Sequence, residues 1–168
     1  MRTFGDPVLK TRSSPVKDFD VSLERLAEDM LATMREQEGV GLAANQVGRL
    51  KRILVAAVED EEYVLVNPVI ERVSEETEAG SEGCLSIPGI QVEVERPTGI
   101  TLSGRDASGE PVRIEAEGLL ARIFQHEVDH LDGVLILDRT DRASRKTAMR
   151  EWRERLLAQQ GQGQPARP

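Results

Sequence analysis

The 168-residue sequence predicts an α+β protein built as one domain. Two segments carry the apolar spacing of half-buried helices, and two pairs of short β-branched segments are each separated by turn-forming residues. A chain of this length buries roughly 70% of its unfolded surface in one core. From Asp20 to Gln37, the residues Leu23, Leu26, Met30, Leu31 and Met34 recur at steps of three and four, and Gly39 stands where a helix would stop. The segments Arg52 to Glu59 and Tyr63 to Val73 are rich in valine, leucine and isoleucine, and Asp60, Glu61 and Glu62 between them form a turn. Gly99 to Arg105 and Pro111 to Glu117 flank Asp106-Ala107-Ser108-Gly109, the composition of a hairpin turn. Leu119 to Leu131 returns to helical spacing through Leu120, Ile123, Phe124, Val128 and Leu131.

Hydrophobic residues make up 39% and charged residues 31% of the chain, the net charge is −8, and no apolar run approaches the ~18 residues of a membrane span. These figures describe a soluble globular protein with no membrane segment. Met1 opens a polar segment without the charged, apolar and small-residue succession of a secretory signal, so a reducing cytoplasm is expected. The single cysteine, Cys84, excludes an intrachain disulfide. Charge is unevenly placed: residues 1 to 138 carry 14 basic and 27 acidic side chains, whereas residues 139 to 168 carry 8 and 3.

Both histidines of the chain lie in Gln125-His126-Glu127-Val128-Asp129-His130, inside the second predicted helix. Residues four apart share a helix face one turn up, so two imidazoles can grip one ion. Glu127 can reach water on that ion without being a ligand, the place of a general base in metal-assisted hydrolysis. Chance placement of two histidines yields this motif about once in a thousand such chains. The same ligands could instead hold a structural ion.

Two imidazoles do not complete a site, and no third histidine exists. Cys84, in Glu82-Gly83-Cys84-Leu85-Ser86-Ile87-Pro88-Gly89, is the remaining soft ligand, placed where glycine and proline indicate a bent strand end. A thiolate with two imidazoles leaves the fourth tetrahedral position to water, the open geometry of a catalytic site. A lone cytosolic cysteine is otherwise an inert buried thiol. The segment Gly39-Val40-Gly41-Leu42-Ala43-Ala44-Asn45-Gln46 allows close backbone approach at its glycines, and it lacks the lysine and hydroxyl residue of a phosphate loop. Gln46 could polarise a carbonyl oxygen as an oxyanion donor, or simply cap backbone.

Taken together, GVGLAANQ at 39 to 46, EGCLS at 82 to 86 and QHEVDHLDG at 125 to 133 resemble the three signature motifs of the peptide deformylases, and Phe4-Gly5-Asp6-Pro7-Val8-Leu9 resembles the amino-terminal segment of that family. The resemblance covers residues 1 to 157. It implies a fold of small mixed or antiparallel sheets around a central helix carrying HExxH, followed by a carboxy-terminal helix. It implies removal of the N-formyl group from the initiator methionine of nascent proteins, with release of formate.

Carried over by position, it makes Cys84, His126 and His130 the metal ligands and Glu127 the general acid/base. The Gln46 side chain and the Leu85 backbone N–H become donors to the formyl oxygen. The backbone of Val40, Gly41 and Gly83 would hold N-formylmethionyl peptides as an added strand. Val40, Leu119 and Ile123, with the edge of His126, would line the methionine pocket, and Glu82 with Arg96 resembles a supporting ion pair. The ion is one divalent metal, with Fe(2+) favoured and Zn(2+), Ni(2+) or Co(2+) compatible with the ligands of a purified protein. Arg122 and Gln91 stand where some relatives differ, and are expected to face substrate rather than metal.

In the basic tail, Arg142, Lys146, Arg150 and Arg153 fall within about 80° on a helical wheel, beside an apolar strip of Met149, Trp152 and Leu156. Residues 139 to 157 are expected to form a helix docked by that strip, and residues 158 to 168 to be a disordered tail. The resemblance adds the large ribosomal subunit as a partner of 139 to 157, with no sequence-specific nucleic acid. Two other functions fit the motifs: a metallopeptidase of another kind, or a non-catalytic ribosome-associated relative with a structural metal.

Overall fold

The computed structural model describes the backbone of residues 1–162 and the side chains of residues 1–158. Asp20 opens the first helix by accepting hydrogen bonds from the Ser22 and Leu23 amides at 3.0 and 3.1 Å, which satisfies donors a helix start otherwise leaves unpaired. The resulting α1 (Val21–Glu36) buries Leu23, Ala27, Met30 and Met34. Its stop falls earlier than Gly39, because Glu38 takes the left-handed conformation at φ +53°. Gly39 serves packing instead: a Cβ there would lie 2.7 Å from Leu85 Cδ1.

Seven strands follow in two antiparallel sheets: β1 (Gly41–Ala43), β2 (Ile53–Val58), β3 (Glu61–Val73), β4 (Thr77–Gly83), β5 (Gln91–Pro97), β6 (Gly99–Arg105) and β7 (Pro111–Glu117). Five of them pair in the order β1-β2-β3-β6-β7, and β4 with β5 forms a separate ribbon. The turn expected over Asp60 to Glu62 sits at Glu59 and Asp60, with Glu59 at φ +56°, so β3 already begins at Glu61. The hairpin expected around residues 106 to 109 forms with the expected strand limits.

Strand β2 shows why this sheet organises the molecule. Side chains alternate between faces along a strand, and here both faces are buried. Ile53 and Val55 pack with Leu42, Val66 and the α1 residues Leu23, Ala27, Met30 and Met34. Leu54 and Ala56 face the other way, against Leu65, Leu102 and the residues Ala121, Ile123, Phe124, Val128 and Leu131 of α2 (Gly118–Leu131). Phe124 meets the Tyr63 ring edge-on at 5.5 Å between centroids.

The β4-β5 ribbon lies across α2 from the large sheet. It escapes sequence patterning because β4, TEAGSEG, has almost no apolar residue, and its one buried side chain is the carboxylate of Glu82. On β5, Val92 and Val94 pack with Ile87 and Ile90 of the connecting loop and with two further helices, α3 (Ile136–Arg139) and α4 (Arg142–Gln162). Helix α4 docks through Ala148 and Trp152, with Met149 half-buried, and the Trp152 ring meets Phe4 edge-on at 6.2 Å. Leu156, expected in the apolar strip, stays exposed. The helix continues to Gln162, past the boundary expected at 157, so the expected tail beginning at 158 is helical in its first residues. The remainder of that tail, residues 163–168, lies outside the described residues. Among the described residues no helix is long and apolar enough to cross a membrane.

Trp152 is the larger of the two buried side chains through which α4 docks. Trp152→Ala is expected to lower unfolding free energy by about 3–5 kcal/mol in urea titration, with much of the loss arising from the cavity left beside Phe4.

Candidate active site

Helix α2 carries His126, Glu127 and His130, and the end of β4 delivers Cys84 to them. The His130 Nε2 atom lies 3.1 Å from His126 Nε2 and 3.2 Å from Cys84 Sγ. The three potential ligand atoms all fall within 4.8 Å of one another. Around a tetrahedral ion with bonds of roughly 2.0 Å to nitrogen and 2.3 Å to sulfur, the edges would be about 3.3 and 3.5 Å, close to those found. His126 Nδ1 faces Glu82 Oε2 at 3.0 Å, which places the proton on Nδ1 and leaves the Nε2 lone pair aimed at the shared centre. The donor set therefore fits one divalent cation.

Burial holds the His130 imidazole well below its ordinary value, in the neutral form that can ligate. Burial would also lower His126, but the Cys84 thiol and the Glu82 carboxylate outweigh it and raise that imidazole well above its usual range. Positive charge is thus favoured at this position, and a metal ion supplies it as a proton would.

Glu82 is itself fixed by a buried charge network. Arg96 grips it through Nε and Nη2 at 2.8 and 2.9 Å, and reaches Asp129 Oδ2 through Nη1 at 2.6 Å. Arg139 closes the far side by donating to both Asp129 oxygens at 3.0 and 2.5 Å. Burial alone would raise the Glu82 carboxyl, but the hydrogen bonds from Arg96 and His126 hold it down at about 2. The expected Glu82–Arg96 pair is present. Motif spacing does not single out Asp129 and Arg139, although an aspartate on the buried face of a helix demands a cationic partner.

Glu127 differs from Glu82 in having no cation on it. Its Oε2 is buried without a hydrogen-bond partner among the described residues, and desolvation pushes the carboxyl up to about 7. Gly41 makes room for it. A Cβ at position 41 would run into the Glu127 carboxylate and come within 2.9 Å of Ile123 Cγ2.

These groups line a cleft of about 580 Å³ whose walls include Val40, Gly41, Gln46, Gly83, Cys84, Leu85, Leu119, Ile123, His126 and Glu127. His130 lies behind this wall, buried. Gln46 takes the capping role, its Oε1 accepting the Ala43 amide at 2.8 Å, while Nε2 donates to Ser86 Oγ at 3.1 Å and lies 3.8 Å from Cys84 Sγ. Capping the short turn after β1 is what aims its amide nitrogen at the cysteine loop. Gln91 lines the cleft as expected. Arg122 also borders it, and its guanidinium donates to Glu82 Oε1 at 2.9 Å. Through Glu82 it lies two hydrogen bonds from the candidate ligand His126.

Fold and site together define a small α+β metallohydrolase. The family profile of the polypeptide deformylases matches residues 1–146. Peptide deformylase 1 of Corynebacterium glutamicum is 53% identical over 153 residues, spanning 89% of this chain and 90% of its own. The crystal structure of peptide deformylase from Thermus thermophilus superposes with a TM-score of 0.86 at 44% identity, over 97% of this chain and 98% of that one. A Synechococcus elongatus peptide deformylase in complex with actinonin gives 0.86 at 44% identity, over 89% of this chain and 83% of that one. The chain belongs to the polypeptide deformylase family.

Removing Arg96 would take the most buried cation from two carboxylates, leaving Glu82 to Arg122 and Asp129 to Arg139. Arg96→Met is expected to cost about 3–5 kcal/mol of stability by chemical denaturation, whereas an exposed pair such as Arg113–Glu71 should contribute under about 1 kcal/mol.

Proposed function

We propose that this cleft removes the N-formyl group from the initiator methionine of nascent proteins, releasing formate and a free amino terminus. The observation that carries the reading is a thiol and two imidazoles converging beside a buried, unpaired carboxylate at the base of a cleft between two strand edges. Cys84, His126 and His130 would hold a divalent ion, which when bound would bring the pKa of a water from 15.7 to about 7.

The chain's own residues do the remaining work. Glu127, with a carboxyl raised to about 7, is poised both to accept a proton from the attacking water and to return it to the departing amine. Gln46 Nε2 and the Leu85 backbone N–H donate to the formyl oxygen as negative charge grows on it. The edge strand β1, with Val40 before it, and Gly83 on β4 hold the peptide as an added strand, so main-chain bonds supply affinity without reading sequence. Val40, Leu119 and Ile123 present apolar surface for the methionine side chain. Thiolate with imidazole suits Fe(2+), Zn(2+), Ni(2+) or Co(2+), and Fe(2+) is the favoured physiological ion. The enzyme works in the cytoplasm, as one catalytic domain.

The basic helix carries a second part of this reading. Arg142, Lys146, Arg150 and Arg153 are all exposed on α4 while Trp152 faces inward, which supports attraction to the polyanionic large ribosomal subunit through residues 139–157.

With formyl-Met-Ala as substrate, Glu127→Ala is expected to retain stoichiometric metal while formate release falls by about 10²- to 10⁴-fold. Cys84→Ala should lose both metal and activity. Equal turnover by wild type and Glu127→Ala would overturn the mechanism. Reversing charge at Arg150 and Arg153 should abolish co-sedimentation with ribosomes at low salt and leave turnover of the dipeptide intact; unchanged co-sedimentation would rule out the ribosomal contact.

A further inference from the structure

The two halves of the candidate metal site come from elements far apart in sequence, so something must fix their spacing. His126 and His130 ride on α2, whereas Cys84 is carried at the tip of the β4-β5 ribbon. Arg122 lies on α2 one turn before His126, and its guanidinium spans the gap between helix and ribbon. Nη1 donates to Glu82 Oε1 at 2.9 Å and to the Val94 carbonyl at 2.9 Å, and Nη2 donates to the Glu78 carbonyl at 2.7 Å. One side chain therefore ties the helix to both strands of the ribbon and to the carboxylate that holds His126.

A second observation is independent of those bonds. Gly80, on β4, lies directly under the guanidinium: a Cβ there would come within 3.0 Å of Arg122 Cζ and Nη2. The ribbon has a glycine where the arginine plane rests, and the methylene stem is covered, with only 16% of the side chain exposed. A guanidinium is suited to this seat because its planar fork serves several acceptors at once, which an ammonium cannot.

We propose that Arg122 is a positioning residue that sets the spacing between Cys84 and the histidine pair, acting through Glu82 and the ribbon backbone. The proposal rests on the metal reading above and goes beyond it by assigning the cleft-lining arginine to the metal side rather than to substrate recognition. Its loss should let the ribbon move relative to α2, loosening the thiol without removing any ligand.

The test uses the full chain loaded with cobalt(II), whose visible spectrum reports ligand geometry, together with the rate at which a chelator removes the ion. Arg122→Met is expected to release cobalt about tenfold faster, in line with other residues that support metal ligands, and to shift the thiolate and ligand-field bands. Arg122→Lys should fall between Arg122→Met and wild type. Gly80→Ala, which displaces the guanidinium without touching α2, should change release and spectrum in the same direction, and should add nothing when combined with Arg122→Met. Should Arg122→Met fail to fold, Gly80→Ala carries the same test.

A lower melting temperature with wild-type spectrum and release overturns the proposal, as does full additivity of the two substitutions. A higher KM for formyl-Met-Ala with unchanged kcat and spectrum overturns it too, by making Arg122 a wall of the substrate cleft. A wild-type chain that takes up no cobalt overturns the metal reading and this proposal with it. A wild type that binds cobalt, matched by an Arg122→Met that behaves identically, overturns this proposal alone.

Discussion

The buried Arg96 guanidinium, shared between Glu82 and Asp129, is the interaction on which the rest of the structure depends. A charge removed from water costs several kcal/mol unless opposite charge and directed hydrogen bonds replace the solvent. Arg96 on β5 therefore has to find Glu82 on β4 and Asp129 on α2 together, and Asp129 in turn has to find Arg139. These directed bonds tie both strands of the ribbon to α2 beside the site, where Cys84 lies next to two imidazoles.

Two glutamates, one on this network and one beside it, show how environment sets two carboxyls apart. Glu82 sits among cations and stays ionised, so it can orient His126. Glu127 is equally enclosed but has Gly41 beside it instead of an arginine, its Oε2 has no hydrogen-bond partner among the described residues, and its carboxyl rises toward neutrality. A carboxylate poised near 7 can both take and return a proton under ordinary conditions. Gly41 is thus as much part of this arrangement as any ionisable group, because a side chain at that position would occupy the space of the carboxylate.

Substrate access follows from sheet topology. Strand β1 is only three residues long and lies at the edge of the five-stranded sheet, while β4 faces the same cleft from the smaller ribbon. Unpaired strand edges ordinarily invite aggregation. Here they flank one cleft, which Ile123 and Glu127 also line.

The periodic parts of the fold were legible along the chain: α1, β2, β3, the β6-β7 hairpin and α2 each bury a regular apolar face, and that regularity is a local property. The HEVDH motif was equally legible, since helical spacing alone places its two histidines one turn apart. The β4-β5 ribbon was not, because β4 spends its single buried position on Glu82 and presents no apolar alternation. Nor could spacing reveal that Arg122 turns to the ribbon, that Gln46 caps a turn while aiming its amide at the cysteine loop, or that Leu156 stays outside the docked face of α4. The sequence by itself determined which side chains could hold an ion and which helix carries two of them. Only the tertiary structure brought Cys84 to the two imidazoles and left Glu127 without a cation in contact, because both outcomes depend on which buried groups meet across elements distant in the chain.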